Sequence, residues 1–466
     1  MKRGENMAKY IPEPYRVKMV EAIRQTSYEE RAEAIRAADY NMFSLASSDV
    51  YIDMLTDSGT NAMSDRQWAA VMMGDESYAG SRSYEQLMEV AHDIFNYQYI
   101  QPVHQGRAAE NMLFPLLLKE GMISISNFHF DTTSGHVLLT GAKVVNCVSP
   151  EAADTENYAP FKGNMDIARL RELIAEYGAE KIGCIVMTIT NNSAGGQPVS
   201  LANIRETGAI AREHKIPLVI DAARYAENAF FIKERETGQE DRPIKDIVRD
   251  MFAEGDAFTF SAKKDGIVNM GGLVGVREDA DLIKGIKARV VPYEGFLTYG
   301  GLTGRDLGAM AVGLAEGLDE IFLRSYIGQT QYLGDRCLEL GVPIQYPTGG
   351  HAIFVDAKKA MPHIPYYHFP AHTLCVALYL EGGIRGCDIG SFILDLDPQT
   401  GEQLEAALEL SRFCIPRRTY TQSHLDYVAE KLADVMKRSE EFQGFEVVEQ
   451  AKVLRHFTAR LKPYTP

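Results

Sequence analysis

Apolar residues three and four apart mark residues 84–95 as an amphipathic helix, and residues 108–119 as a second, more apolar one. Between them residues 101–107, Gln-Pro-Val-His-Gln-Gly-Arg, read as a turn. Short apolar runs at 122–126, 142–148, 181–190, 216–220 and 256–260 predict strands, the last two closing on Asp221 and Ser261. Helical spacing returns at 167–177, with Asp166 placed to cap it, and at 200–214 after a loop over 191–198. Strands alternating with helices predict an α/β fold, a mainly parallel sheet flanked by helices on both faces. Polar residues gather just after the C-terminal ends of the strands, where open α/β sheets bind ligands.

From about residue 315 the chain changes to long helices with a few strands, one of them at 352–355. The expected organisation is an arm over 1–60 that forms part of the small domain, a large domain over 61–315 and a smaller α+β domain over 316–466. Pro12 and Pro14 mark an extended start to the arm, ahead of a helix-biased stretch at 17–38.

The 466 residues carry 48 Lys and Arg against 64 Asp and Glu, a net charge of −16. That field repels polyanions and excludes a general nucleic-acid or anionic-membrane binder, while a local Arg and Lys cluster can still hold one phosphate. Six scattered cysteines with no C-x-x-C pair exclude a disulfide framework and a zinc signature. The longest uncharged Leu-rich run, 112–118, contains Pro115 and is too short to span a bilayer. Residues 1–7 are charged with no apolar stretch behind them, so no secretory signal is expected and the predicted setting is cytoplasmic.

Four segments place polar groups at strand ends or helix starts. Gln105, Gly106 and Arg107 precede a helix, and a glycine there lets backbone N–H groups approach an anion. Asn192 lies in a loop whose Gly195 and Gly196 allow a sharp bend beside a ligand. Asp221 closes a strand with Arg224 three residues on, a carboxylate able to support a positive ring nitrogen. Ser261 and the pair Lys263, Lys264 close the next strand, where a lysine can lose its proton and act as an amine nucleophile. A phosphate, a pyridine nitrogen, a phenolic oxygen and an aldehyde require these groups together, and pyridoxal 5′-phosphate carries all four. Two other motifs fail. His368 and His372 are separated by Pro370 and read as surface histidines, and Gly300 to Gly304 lacks the dinucleotide glycine order.

The chain resembles the β-eliminating lyases, whose members include tryptophan indole-lyases (tryptophanases) and tyrosine phenol-lyases. The resemblance is carried by Leu-Thr-Asp-Ser-Gly-Thr at 55–60, Gly-Asp-Glu-Ser-Tyr-Ala-Gly at 74–80, Ser-Ala-Gly-Gly-Gln-Pro at 193–198 and Ser-Ala-Lys-Lys-Asp at 261–265. It implies an aspartate-aminotransferase-like, fold type I pyridoxal-phosphate enzyme. Lys264 would form the Schiff base, Asp221 would face the pyridine nitrogen and Arg224 the ring oxygen. Gln105, Gly106, Arg107 and Ser261 would hold the phosphate, and Phe130 would stack on the ring. Arg412, Asn192 and Thr56 would bind the substrate carboxylate, with Tyr78 beside the leaving group. The resemblance further implies a potassium ion near Gly59, Asn269 and Glu76, and a homotetramer whose active sites are shared between subunits. Ala108 stands where the family usually has glycine, a change that the first turn of a helix accepts.

Three positions bear on the leaving group. Phenol-lyases of the family carry arginine where this chain has Ile389, threonine where it has Asp131, and two phenylalanines where it has His456 and Phe457. A phenolic oxygen needs a cationic or hydrogen-bonding partner, which Ile389 cannot supply. Indole has one N–H, which Asp131 can accept, and a broad apolar body suited to Ile389 and Phe457. The reading is therefore α,β-elimination of L-tryptophan to indole, pyruvate and ammonium through a quinonoid, with Tyr78, Asp131 and His456 as candidate acids. The alternatives are tyrosine phenol-lyase and, more remotely, a non-catalytic regulatory protein that binds the same cofactor.

Overall fold

Seven strands with apolar side chains form the central sheet of the computed structural model, which describes residues 10–397 and 400–465. The charged residues 1–7 lie outside that range. In chain order the strands are β1 (Tyr99–Val103), β2 (Ile123–Ser126), β3 (Lys143–Asn146), β4 (Ile182–Thr188), β5 (Leu218–Asp221), β6 (Ala257–Ser261) and β7 (Gly272–Val276). Their order in space is β1-β7-β6-β5-β4-β2-β3. Strands β2 to β6 pair in parallel, whereas β7 runs antiparallel to both β6 and β1. Every residue of β4, β5, β6 and β7 is buried, as expected for strands covered on both faces. The register aligns Thr188 with Asp221 and Asp221 with Thr259, so the polar ends of three neighbouring strands open at one edge of the sheet.

The helix expected at 167–177 is α-helical over Ile167–Tyr177, and the Asp166 carboxylate accepts from the Arg169 N–H as its cap. Residues 101–107 are not a turn. Gln101 to Val103 complete β1, and a helix, Gly106–Leu117, begins directly afterwards. Pro102 is tolerated because β1 is an edge strand with only β7 beside it, so its missing N–H breaks no ladder bond on the open side.

The stretch 17–38 is helical only over Tyr28–Ala37, where Ser27 and Glu30 form a reciprocal capping box. Val17, Met19 and Val20 ahead of it have no regular secondary structure and are exposed. His372 is buried rather than on the surface. Pro370 occupies the first turn of the helix Pro370–Gly382, where its ring is accommodated, and His372 hydrogen-bonds the Tyr40 carbonyl at 2.9 Å.

Beyond the central sheet, β8 (Ala352–Asp356), β9 (Cys387–Ile389) and β10 (Leu410–Cys414) form an antiparallel sheet in the order β9-β10-β8. Ile52 and Asp53 pair in parallel with Ile384 and Arg385, so the start of the chain is stitched to its last third. Among the described residues no helix is long and apolar enough to cross a membrane.

Candidate active site

A cleft opens at the C-terminal ends of β4, β5 and β6, lined by Gln105, Gly106, Arg107, Phe130, Asn192, Asp221, Arg224, Ser261 and Lys264. These nine sequence candidates come from five separate segments, and the parallel register brings them to one place. The helix Gly106–Leu117 points its N-terminus into the cleft, where its partial positive charge favours an anion. A Cβ on Gly106 would lie 2.7 Å from the Ser261 Cβ, so only glycine allows the helix to start this close to the end of β6.

Asp221 ends β5 with a buried carboxylate that accepts from the Ala223 N–H at 3.3 Å. Burial raises its pKa, against the pull of Lys264 and Arg224. An acid held in this way is stabilised by a cationic N–H placed against it. Lys264 follows β6 and is partly buried in the cleft, where loss of hydration followed by the Arg224 charge brings its pKa down to about 8. The Arg224 guanidinium grips Asp57 through Nε at 3.0 Å and Nη2 at 2.6 Å. Asn192 Oδ1 accepts from His351 Nε2 at 2.9 Å and from Arg412 Nη1 at 3.4 Å, which leaves its buried Nδ2 without a hydrogen-bond partner. An unpaired buried donor beside a cleft is a site for an incoming acceptor. A phosphate-binding helix start, a buried acid, an amine of lowered pKa and an orphaned amide donor together fit pyridoxal phosphate and an amino-acid carboxylate.

Beneath the cleft Arg417 binds Asp57 at 3.0 Å and Asp265 at 2.8 Å, and also Glu227. Burial opposes ionisation of Asp57, but Arg224 and Arg417 hold its carboxyl well below the usual range. Asp57, His351 and Cys414 offer ligand atoms within 4.8 Å of one another. Both Asp57 oxygens are already taken by guanidinium groups, whose charge repels a metal ion from that spot.

The remaining candidates divide. Asp131 Oδ2 meets His456 Nε2 at 3.1 Å, both side chains buried, and His456 keeps the carboxyl below its ordinary pKa in spite of burial. The Phe457 ring lies 5.5 Å from the Arg107 guanidinium carbon. Ile389 is buried at the end of β9, two residues from Cys387, which pairs with Arg412; alternation puts their side chains on one face. Thr56 Oγ1 accepts from the N–H of Ser58, itself in the cleft wall. Asn269 Nδ2 donates to the Gly59 carbonyl at 3.0 Å, so these two expected cation ligands are neighbours. Glu76 instead pairs with Arg305 at the surface. Tyr78 is 71% exposed, stacked on Phe296, and does not line the cleft of its own chain.

Sequence reasoning named Lys263 without giving it a separate role, and missed Glu110. Lys263 Nζ donates to Gln105 Oε1 at 3.2 Å, adding a second amine beside Arg107. Glu110 lies one helical turn after Gly106, and burial, followed by the Asp221 charge, pushes its pKa up to about 8. An acidic residue on the apolar face of a buried helix was the available signal.

A family model described as beta-eliminating lyase matches residues 53–431. A probable beta-eliminating lyase of Trichomonas vaginalis is 49% identical over 451 residues, covering 97% of this chain and 98% of its own. A tryptophanase of Salinibacter ruber is 49% identical over 98% of this chain and 96% of its own. A tyrosine phenol-lyase of Pasteurella multocida is 46% identical over 98% of this chain and 100% of its own. Among solved structures, Sphingomonas wittichii serine palmitoyltransferase is similar in fold, with a TM-score of 0.57 at 12% identity over 84% of this chain and 88% of its own. The expected fold type I architecture is thus the observed one.

Proposed function

Because this chain belongs to the beta-eliminating lyase family, we propose that it binds pyridoxal 5′-phosphate and eliminates indole from L-tryptophan, leaving pyruvate and ammonium. The observation that carries the choice of substrate is the buried Asp131–His456 pair, together with a buried Ile389 that offers no charge to a phenol.

When bound, the cofactor supplies an electron sink for the bond broken at Cα. The chain's own residues do the rest. The helix start at Gly106, with Arg107, Gln105 and Ser261, holds the phosphate, and Phe130 covers the ring. Asp221 keeps the pyridine nitrogen protonated. Arg412, Asn192 Nδ2 and Thr56 clamp the substrate carboxylate. Lys264, whose pKa lies near 8, is partly unprotonated at neutral pH and takes the Cα proton. Asp131, held ionised by His456, accepts the indole N–H, while Ile389 and Phe457 enclose its apolar body.

The same reading includes a homotetramer with active sites shared between subunits. The exposure of Tyr78 and of the apolar arm residues Val17, Met19 and Val20 supports it. It also includes a potassium ion at the Gly59 and Asn269 carbonyls with Glu76, and domain limits at 60 and 315. Six free thiols suit a reducing, cytoplasmic setting.

The test is to give the cofactor-loaded protein L-tryptophan and L-tyrosine in parallel in potassium buffer and identify the aromatic product. Indole with pyruvate from tryptophan alone is expected. Phenol from tyrosine would overturn the assignment of Asp131, Ile389 and His456.

A further inference from the structure

We infer that Arg455 is a positioning residue that determines leaving-group specificity. It fastens the turn carrying His456 and Phe457 to the segment that follows Ile389, so that two walls of the leaving-group pocket move as one. The inference rests on the function proposed above and extends it to a residue that acts only through others.

Arg455 opens the short helical turn Arg455–Phe457 and is 2% exposed. Its Nε donates to the Phe392 carbonyl at 3.2 Å, and its Nη2 to the Ser391 carbonyl at 3.2 Å and to Gln403 Oε1. Nη1 donates to Gln450 Oε1 at 2.9 Å. Phe369 and Phe392 lie against the guanidinium, with ring centroids 5.6 and 5.7 Å from its central carbon. One planar cation therefore reaches two consecutive carbonyls and two side-chain amides, a span that its fixed fork of donors suits and a single ammonium cannot match.

Both walls are otherwise well fastened, each to its own surroundings. Ser391 gives its N–H and hydroxyl to Glu409 Oε2, at 3.0 and 2.6 Å, and the Gly390 N–H goes to Asp388 Oδ1 at 2.9 Å. These bonds hold the end of β9 and therefore Ile389. On the other side Asn41 Nδ2 donates to the carbonyls of His456 at 3.0 Å and Ala459 at 2.8 Å. Arg455 fastens the first group to the second, with a lesser contact from the Leu454 N–H to Asp395 Oδ2 at 3.4 Å. Asp395 and Asp388 partly offset the burial of its charge.

A bicyclic aromatic leaving group must touch Ile389 on one wall and Phe457 or His456 on the other, whereas a methylthio group is too small to bridge them. Loss of Arg455 should then penalise the first kind of substrate and spare the second. The test compares kcat/KM for L-tryptophan and for S-methyl-L-cysteine in the cofactor-loaded wild type, R455M and R455K. For R455M the tryptophan value should fall about 100-fold, the scale of an ångström of misplacement. The S-methyl-cysteine value should stay within about twofold, the bound cofactor's absorbance should be unchanged, and R455K should lie between. Equal losses on both substrates, or no loss on either, would overturn the inference. If R455M does not fold, the substrate ratio of R455K decides. A wild type that releases indole keeps the function reading, whereas one that releases phenol instead overturns the leaving-group assignment and, with it, this inference from a bicyclic group. A wild type that releases neither sinks that reading and this inference with it.

Discussion

Lys264 and Glu110 face each other's problem from opposite signs of charge. Glu110 is buried and Lys264 partly so, and each has a pKa moved to about 8, the lysine down and the carboxyl up. For the lysine the unfolded chain, near 10.5, binds the proton more tightly than the native apoprotein, so below about pH 8 folding bears the cost of charging a partly buried amine. The cost fades as the pH rises from 8 toward 10.5. Thermal melts of apoprotein should thus show K264M more stable than wild type at pH 7, with the gap closing by pH 10. A gap independent of pH would contradict this reading of Lys264. For Glu110 the folded pKa is raised, so native stability falls as the pH climbs from about 4.5 to 8, and E110Q should remove that decline. Lys264 and Asp221 were legible in the sequence because each ends an apolar strand. Glu110 was not, since its meaning depends on a neighbour 111 residues away that only the fold supplies.

The helix Gly106–Leu117 shows what a boundary error conceals. The sequence reading puts Gly106 and Arg107 in a turn just ahead of a helix, already suited to an anion, but misses the strand that precedes them. In the structure the edge strand β1 delivers them to the start of a helix pressed against β6. Alanine at Gly106 would put a methyl 2.7 Å from the Ser261 Cβ and force the helix start away from the strand. G106A should weaken cofactor binding at least about tenfold in a dialysis or absorbance titration, with little change in far-UV dichroism. The elements read correctly, Ile167–Tyr177 and the strands β4 to β6, have strong periodicity or unbroken apolar runs. Those read wrongly, the arm and the β1 segment, turn on a capping box and on an edge strand, which neither periodicity nor a lone proline reveals.

Across the whole molecule, Arg417 gathers Asp57 from the first segment, and Glu227 and Asp265 from the central sheet's surroundings, onto a side chain near the C-terminus. Replacing it with methionine would leave Asp57 to Arg224 but strip the buried Glu227 and Asp265 of the guanidinium that pairs them, a loss of about 3–5 kcal/mol. Chemical denaturation of R417M should report it, and a loss under about 1 kcal/mol would mean that the acids find other partners. The family and its fold were legible end to end because short motifs survive in order, whereas the outward turn of Tyr78 and Glu76 was not. The pairing of Ile52 and Asp53 with Ile384 and Arg385 also has a consequence for synthesis. With Asp53 and Arg385 332 positions apart and translation at about 5–20 residues per second, the Ile52–Asp53 segment waits roughly 17–66 s on the ribosome for its partner. Throughout that interval the nascent arm presents Ile52 and Met54 to whatever chaperone is at hand.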